Sequence, residues 1–138
     1  TMHAVCLGLY WLIPYFLIAN PPAPASPLLL GSAITLHTLG VVIMIASDAQ
    51  KYFVLRVKKG LIDYGMFSRV RHPNYTGEIM LYSSYALLSR NYLSWIILIQ
   101  VWIMIFAVNI IMKERSMSRY PSWKSYVART NYLIPGVF

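Results

Sequence analysis

Two long stretches without a charged side chain most constrain what this chain can fold into. Residues 28–47 and 92–112 contain no Asp, Glu, Lys or Arg. About twenty such residues in a helix cross the roughly 30 Å hydrocarbon core of a bilayer. The whole chain is 58% hydrophobic, with a mean hydropathy of +0.55, which is too apolar for an ordinary soluble domain of this size. The sequence therefore predicts an all-α integral membrane protein.

Two shorter apolar segments complete the expected bundle. Residues 4–19 form the first, interrupted by Pro14, and residues 76–89 form the other. A proline-rich stretch at residues 20–27 cannot be helix interior and separates the first two spans. We predict a single membrane domain over residues 1–138, a polytopic helix bundle of about four spans at 4–19, 28–47, 76–89 and 92–112.

The basic residues indicate how the bundle is oriented. Of the 12 Lys and Arg residues, six lie within 51–71, one is Arg90 and five lie within 113–129. The positive-inside rule then places the central loop, the C-terminal tail and both termini on one side, which faces the cytoplasm or its equivalent. The organelle stays open between endoplasmic reticulum and mitochondrial inner membrane. Because these cations flank apolar spans, membrane lipids are the expected partners and nucleic acid is not.

A polar cluster before the third apolar segment has two interpretations. In the structural one, Pro73 extends the backbone of His72, Asn74 caps the next helix and Glu78 lies in its first turn. That does not explain why Arg71, His72 and Glu78 gather there in a chain with only four acidic residues. Arginines, aromatics and carboxylates from 48–78 and 113–138 would suit a cofactor that carries phosphate or adenosine, or they anchor the chain to anionic lipid.

Several motifs in this basic region carry a resemblance. GLIDYGMF at 60–67, RHPNYTGE at 71–78, and KER, PSWKSY and RT in the tail look like the steroid 5α-reductase C-terminal-domain family. The RHPNYTG core is also similar to isoprenylcysteine carboxyl methyltransferases, which use S-adenosylmethionine. The likeness covers about residues 45–138, and the Glu after Gly77 favours the reductase branch. It implies an NADPH site formed by Asp48, Lys51, Arg56, Arg71, His72, Asn74, Tyr75, Glu78, Arg115, Tyr126 and Arg129.

A reductase of this kind would pass hydride to a C=C bond of a lipid between the spans, with a proton supplied at bilayer depth. Family members take their substrate-side acid and tyrosine from N-terminal spans that this sequence lacks. The expected proton donors are therefore Tyr10, Tyr15 and His37, although His37 would equally serve as a hydrogen-bonding group between helices. No metal site is predicted.

Three functions remain open at this point. The first is an NADPH-dependent oxidoreductase that acts on a CH–CH group of a lipid. The second is a non-catalytic accessory subunit without cofactor, within a larger membrane assembly such as a respiratory complex, whose aromatic and methionine-rich last span packs on partner subunits. The third is a membrane methyltransferase that uses S-adenosylmethionine.

Overall fold

The chain is all-α over the residues that the computed structural model describes, which are 8–19 and 22–137. Residues 4–7 of the first predicted span, residues 20 and 21 of the proline-rich loop and residue 138 lie outside them. The helices are α1 (Leu12–Ala19), α2 (Pro27–Val57), α3 (Pro73–Ser89), α4 (Tyr92–Val101), a π-helical segment (Trp102–Ala107), α5 (Val108–Met117) and α6 (Trp123–Ala128), with a 3₁₀ turn at Gly65–Phe67.

Helix α2 is the longest element, at 31 residues. The Ser26 hydroxyl caps its start by accepting from the Leu29 amide at 3.2 Å, and Pro27 occupies the first helical turn, where a missing N–H costs nothing. The helix continues past residue 47, the end of the predicted span, to Val57. Its C-terminal turns therefore carry Asp48 and Lys51 toward the basic face.

Helix α4, the π-helical segment and α5 form one continuous rod, Tyr92–Met117. Arg90 adopts a left-handed conformation (φ 49°) that ends α3, and the Asn91 side chain accepts from the Leu93 amide at 2.9 Å to start α4. This break falls between the predicted apolar segments 76–89 and 92–112. The π-helical segment was not predicted, because no residue type or spacing marks it in the sequence.

Two helices are long and apolar enough to cross a membrane, Pro27–Val57 and Tyr92–Met117. They contain the predicted spans 28–47 and 92–112, and they indicate membrane association. The other two predicted spans correspond to shorter helices, Gly8–Ala19 and the 17-residue α3. A count of four spans therefore stays a prediction.

The start of α3 differs from the expectation. The helix begins at Pro73 with His72 as its N-cap, and no side chain caps it. Asn74 therefore lies inside the first turn and does not cap the helix, while Glu78 falls in the second turn. Both expectations were wrong for one reason: the fixed φ of Pro73 suits the first helical position, which moves the start upstream of Asn74.

Helices α2 and α3 share the largest contact between helices, and it is centred on two glycines. A Cβ atom placed on Gly40 would stand 2.7 Å from the Gly77 carbonyl oxygen. Because neither residue has a side chain, the two backbones come together directly. This contact fixes the polar N-terminus of α3 beside the C-terminal half of α2.

The loop after α2 is held by the Gln50 side chain. Its amide nitrogen donates to the Tyr64 carbonyl at 2.8 Å, and its amide oxygen accepts from the Met66 amide at 2.9 Å. Gly65 between them has φ 62°, a conformation that glycine adopts without strain. Residues 58–67 therefore fold back against α2 and form one wall of the cavity described below.

Candidate functional site

The basic face is built where the turn before α3 meets the C-terminal tail. The Arg71 amide donates to the Asn131 carbonyl at 2.9 Å, and the His72 amide donates to the Tyr132 carbonyl at 3.1 Å. In return the Asn131 amide donates to the Arg69 carbonyl at 3.0 Å. The two bonds of Asn131 form a parallel β-bridge between Val70 and Asn131, and the His72 bond extends this link between two segments distant in sequence.

Glu114 of α5 joins this junction to the second candidate span. Its Oε1 accepts from Arg71 Nε at 3.0 Å and bonds His72 Nε2 at 2.8 Å. Arg71 Nη1 also donates to the carbonyl and hydroxyl oxygens of Thr130, at 2.6 and 3.1 Å, and the guanidinium lies 4.1 Å from the ring centre of Tyr132. Arg71 is buried, so its charge is neutralised locally and its donors are largely used.

His72 is held in the neutral form by its surroundings. Burial lowers its pKa, and the neighbouring Arg71 and Lys113 add to that effect, whereas Glu114 opposes it. A neutral imidazole that donates from Nε2 to the Glu114 carboxylate keeps its proton on that nitrogen. His72 is thus a neutral link in this network.

Tyr126 of α6 closes the same junction from the other side. Its side chain is fully buried, and its hydroxyl donates to the Phe67 carbonyl at 2.9 Å. Burial raises the pKa of Tyr126 to about 12. This tyrosine is therefore a structural donor and a poor source of protons near neutral pH.

A cavity of about 450 Å³ opens between the α2 C-terminus, the 59–62 loop, this junction and the end of α5. Its lining is rich in cations, aromatics and aliphatic side chains and contains no Asp or Glu. The lining residues are Lys51, Leu55, Lys59, Gly60, Leu61, Ile62, Phe67, Arg71, His72, Asn74, Lys113, Ser116, Met117, Arg119, Tyr120 and Tyr126. The volume falls in the range of small-molecule sites.

Four of the five cations in the lining form no ion pair with any described residue, in contrast to Arg71. Lys51 and Lys59 are exposed on the α2 side. Lys113 donates to the Tyr75 hydroxyl at 2.9 Å, and Arg119 lies 5.4 Å from the ring centre of Tyr120. The cavity therefore presents positive charge from two sides, and none of these four cations is held in a direct ion pair with a described residue.

Of the eleven predicted cofactor-binding residues, the structure brings five together in the cavity lining: Lys51, Arg71, His72, Asn74 and Tyr126. The other six, which lie outside this lining, are Asp48, Arg56, Tyr75, Glu78, Arg115 and Arg129. Among them, Arg56 is exposed and donates to the Tyr52 hydroxyl at 3.0 Å, and Arg129 is exposed and pairs with Asp63. Arg115 is exposed as well.

The remaining three of these six are neighbours of Lys113 and do not line the cavity. Tyr75 is buried, with its ring stacked 4.6 Å from that of Phe106. Asp48 and the half-buried Glu78 are electrostatic neighbours of Lys113. These two carboxylates offset part of the positive charge that Lys113 brings to the cavity.

The three predicted proton donors are not in this lining either. Tyr10 is buried and its ring stacks on Tyr82 at 3.9 Å. Tyr15 is 58% exposed on α1. His37 Nδ1 lies 3.2 Å from the Ser84 hydroxyl, which matches the expectation of a hydrogen bond between helices.

Sequence reasoning missed four residues that shape the site: Lys59, Lys113, Glu114 and Arg119. Glu114 carried a usable signal, because it is an acidic residue embedded in a tail with five cations. The three cations carried none, since a Lys or Arg beside an apolar span is ordinary interface chemistry.

The sequence model of a family described as a protein of unknown function, DUF1295, matches residues 6–130. No curated protein and no solved structure shows significant similarity to the chain. The family match covers most of the sequence, including α1–α5 and the residues that line the cavity. The chain belongs to the DUF1295 family.

Proposed function

We propose that this DUF1295 chain binds NADPH on its basic face and is a reductase-like membrane oxidoreductase that acts on a C=C bond of a lipid. One observation carries the proposal: five cations and no carboxylate line the cavity. Such a site selects a ligand that carries several negative charges. The motifs at 60–67 and 71–78, which resemble those of steroid 5α-reductase-like proteins, add to it.

NADPH fits this charge because it presents a pyrophosphate and a 2′-phosphate. Lys51, Lys59, Lys113 and Arg119 are the residues that would hold these groups, since none of them is neutralised by an ion pair within the described chain. Arg71 has a different role. It is bonded to Glu114 and Thr130, and it positions the wall of the cavity.

Aromatic residues of the lining would bind the adenine base of NADPH. The half-buried ring of Tyr120 stands at the cavity beside Arg119, and an adenine can stack on such a ring. Phe67 and Leu61 provide apolar surface for the same purpose. Asn74 of the lining would hydrogen-bond the nicotinamide carboxamide or a ribose of the cofactor.

The positive charge of the cavity lining disfavours the methyltransferase alternative. S-adenosylmethionine carries a sulfonium and an ammonium against one carboxylate, so its net charge is positive near neutral pH. A lining of cations without Asp or Glu repels such a ligand. We therefore retain NADPH as the proposed cofactor.

When bound, NADPH supplies a hydride to one carbon of the C=C bond, and a proton taken ultimately from water completes the CH–CH product and leaves NADP⁺. Within the lining, Tyr126 is a poor acid because its pKa is about 12. His72 is neutral and its Nε2 is bonded to Glu114. The acid that delivers this proton would therefore have to come from outside the lining.

A second candidate, the accessory subunit, is favoured by one specific observation. None of Tyr10, Tyr15 and His37 lies in the lining of this cavity. If no other acid reaches the substrate, the chain would bind the nucleotide without reducing a lipid, or it would bind partner subunits alone.

Calorimetric titration of the purified protein in lipid nanodiscs tests cofactor binding, with NADPH, NADH and S-adenosylmethionine as ligands. We expect NADPH to bind and the other two to bind at least tenfold more weakly. Lys59→Gln and Arg119→Gln should each weaken NADPH about tenfold through the loss of a charged contact. The matched controls Lys58→Gln and Arg115→Gln, which do not line the cavity, should change it less than twofold. Absence of NADPH binding by the unmutated protein would refute the proposal.

A separate assay distinguishes the enzyme from the accessory subunit. Loss of NADPH absorbance would be followed in vesicles that contain an α,β-unsaturated 3-ketosteroid, with the saturated ketone as the control. Consumption that depends on the unsaturated lipid supports the reductase. Tight NADPH binding without consumption would support the accessory subunit.

A further inference from the structure

A polar side chain stands on the outward, apolar face of the second candidate span. Gln100 is exposed in α4, within a shallow groove of about 370 Å³ lined otherwise by Ile96, Ile99, Ile103 and Met104. Among the described residues, its amide contacts only the Met104 sulfur, at 3.8 Å. A thioether is a weak acceptor, so the amide is poorly satisfied within the chain.

The position of Gln100 along the helix makes this costly. With a rise of 1.5 Å per residue, it lies about 12 Å from Tyr92 and about 20 Å from Lys113 along the rod. The candidate span is Tyr92–Met117, and a helix that crosses the bilayer along this length places Gln100 within the hydrocarbon core. Lipid tails offer an amide no hydrogen-bond partner, and an unpaired amide there is unfavourable.

The surroundings of Gln100 suit contact with another helix. Only 17% of the most apolar window of this span is buried within the chain, so most of its surface faces outward. Ile96, Ile99 and Ile103 are 54%, 50% and 63% exposed. Their side chains and the groove offer ridges and a depression into which a second helix can pack.

We propose that this face is a homodimer interface in which Gln100 of one chain hydrogen-bonds Gln100 of a second copy. A primary amide both donates and accepts, so two of them can bond reciprocally. Two copies inserted in the same orientation are related by an axis along the membrane normal, which brings equal residues together at equal depth. A self-complementary group at the centre of an apolar face matches that symmetry.

Cysteine cross-linking in lipid vesicles tests the interface and leaves Gln100 in place. The single cysteine, Cys6, is first replaced by Ser, and Ile103→Cys is introduced one turn from Gln100. Oxidation should give a disulfide-linked dimer at low protein-to-lipid ratios. The matched control Leu39→Cys, 48% exposed on α2, should give no dimer above the level of random collision.

The role of the amide is tested on the same background by measuring dimer fraction against protein-to-lipid ratio. Gln100→Leu should weaken dimerisation about three- to tenfold, whereas Gln100→Asn should retain most of it. The proposal is overturned if Ile103→Cys cross-links no better than Leu39→Cys, or if Gln100→Leu dimerises as strongly as the unmutated chain. Either result would assign the face to lipid or to a different subunit.

Discussion

Gly40 and Gly77 meet so closely across the contact between α2 and α3 that a methyl group on Gly77 would stand 2.6 Å from the Gly40 carbonyl oxygen. The obstructing atoms are backbone atoms, which cannot rotate away as a side chain can. The helix pair that carries the cavity therefore tolerates no larger residue at either position without a shift of one helix.

Gly77→Ala should lower the free energy of unfolding by about 1–3 kcal/mol, because an added methyl group overpacks a close contact. Gly31→Ala is the matched control. It lies in α2 with open space around its Cα, and it should be neutral or slightly stabilising because alanine favours helix. Denaturant titration in detergent measures both. Equal effects of the two substitutions would show that the crossing is looser than described.

Glu114→Gln should destabilise the junction strongly, by about 3 kcal/mol or more, because it leaves the buried Arg71 guanidinium without its counter-charge. Asp63→Asn removes the partner of Arg129 in an exposed pair and should cost at most about 1 kcal/mol. Limited proteolysis within residues 113–133 measures this loss of stability, because the C-terminal tail becomes accessible to the protease when the junction breaks. Unchanged cleavage of the Glu114→Gln variant would contradict this role.

The junction should weaken in mild acid. Burial lowers the pKa of His72 in the folded state, so between that value and the unfolded value of about 6.5 the unfolded chain binds more protons. Stability is therefore fully present above about pH 6.5, falls as the pH drops through this window, and levels off below the folded pKa. Thermal unfolding between pH 7.5 and 5 measures the slope, which should be reduced in His72→Asn. An unchanged slope in that variant would assign the effect to other groups.

Tyr126→Phe should cost about 1–2 kcal/mol, because the buried Phe67 carbonyl loses its donor. Tyr64→Phe, at an exposed side chain, serves as the control and should be nearly neutral.

The Tyr126 hydroxyl also predicts that the protein is sensitive to alkaline pH. A pKa of about 12, above the usual 10, means that the folded state resists ionisation and loses stability as the pH rises above about 10. That loss should be absent in Tyr126→Phe.

Much of the helical framework could be predicted from the sequence because it depends on local composition. Charge-free stretches identified the two long helices, and Arg90 with Asn91 marked the break between α3 and α4. The start of α3 could not be placed from capping preference alone, because Pro73 competed with Asn74 for the first turn. The π-helical segment depends on packing and carries no local signal.

The candidate site was predicted only in part, since it depends on contacts between distant segments. Arg71, His72 and Asn74 follow one another in a recognisable motif and do line the cavity. Arg71 is bonded to Glu114, whereas Lys59 and Arg119 form no ion pair with any described residue. This difference depends on how the C-terminal tail packs against the turn before α3. No spacing of residues along the sequence predicts that packing.

The β-bridge between the turn and the tail sets an order of assembly. Arg71 and Thr130 are 59 residues apart. The second candidate span, Tyr92–Met117, lies between them in the sequence. As the chain leaves the ribosome, α2, α3 and α4 are all made before the tail that Arg71 needs. The basic face is therefore completed last, and a defect in residues 126–133 should leave membrane insertion intact while the cavity never forms.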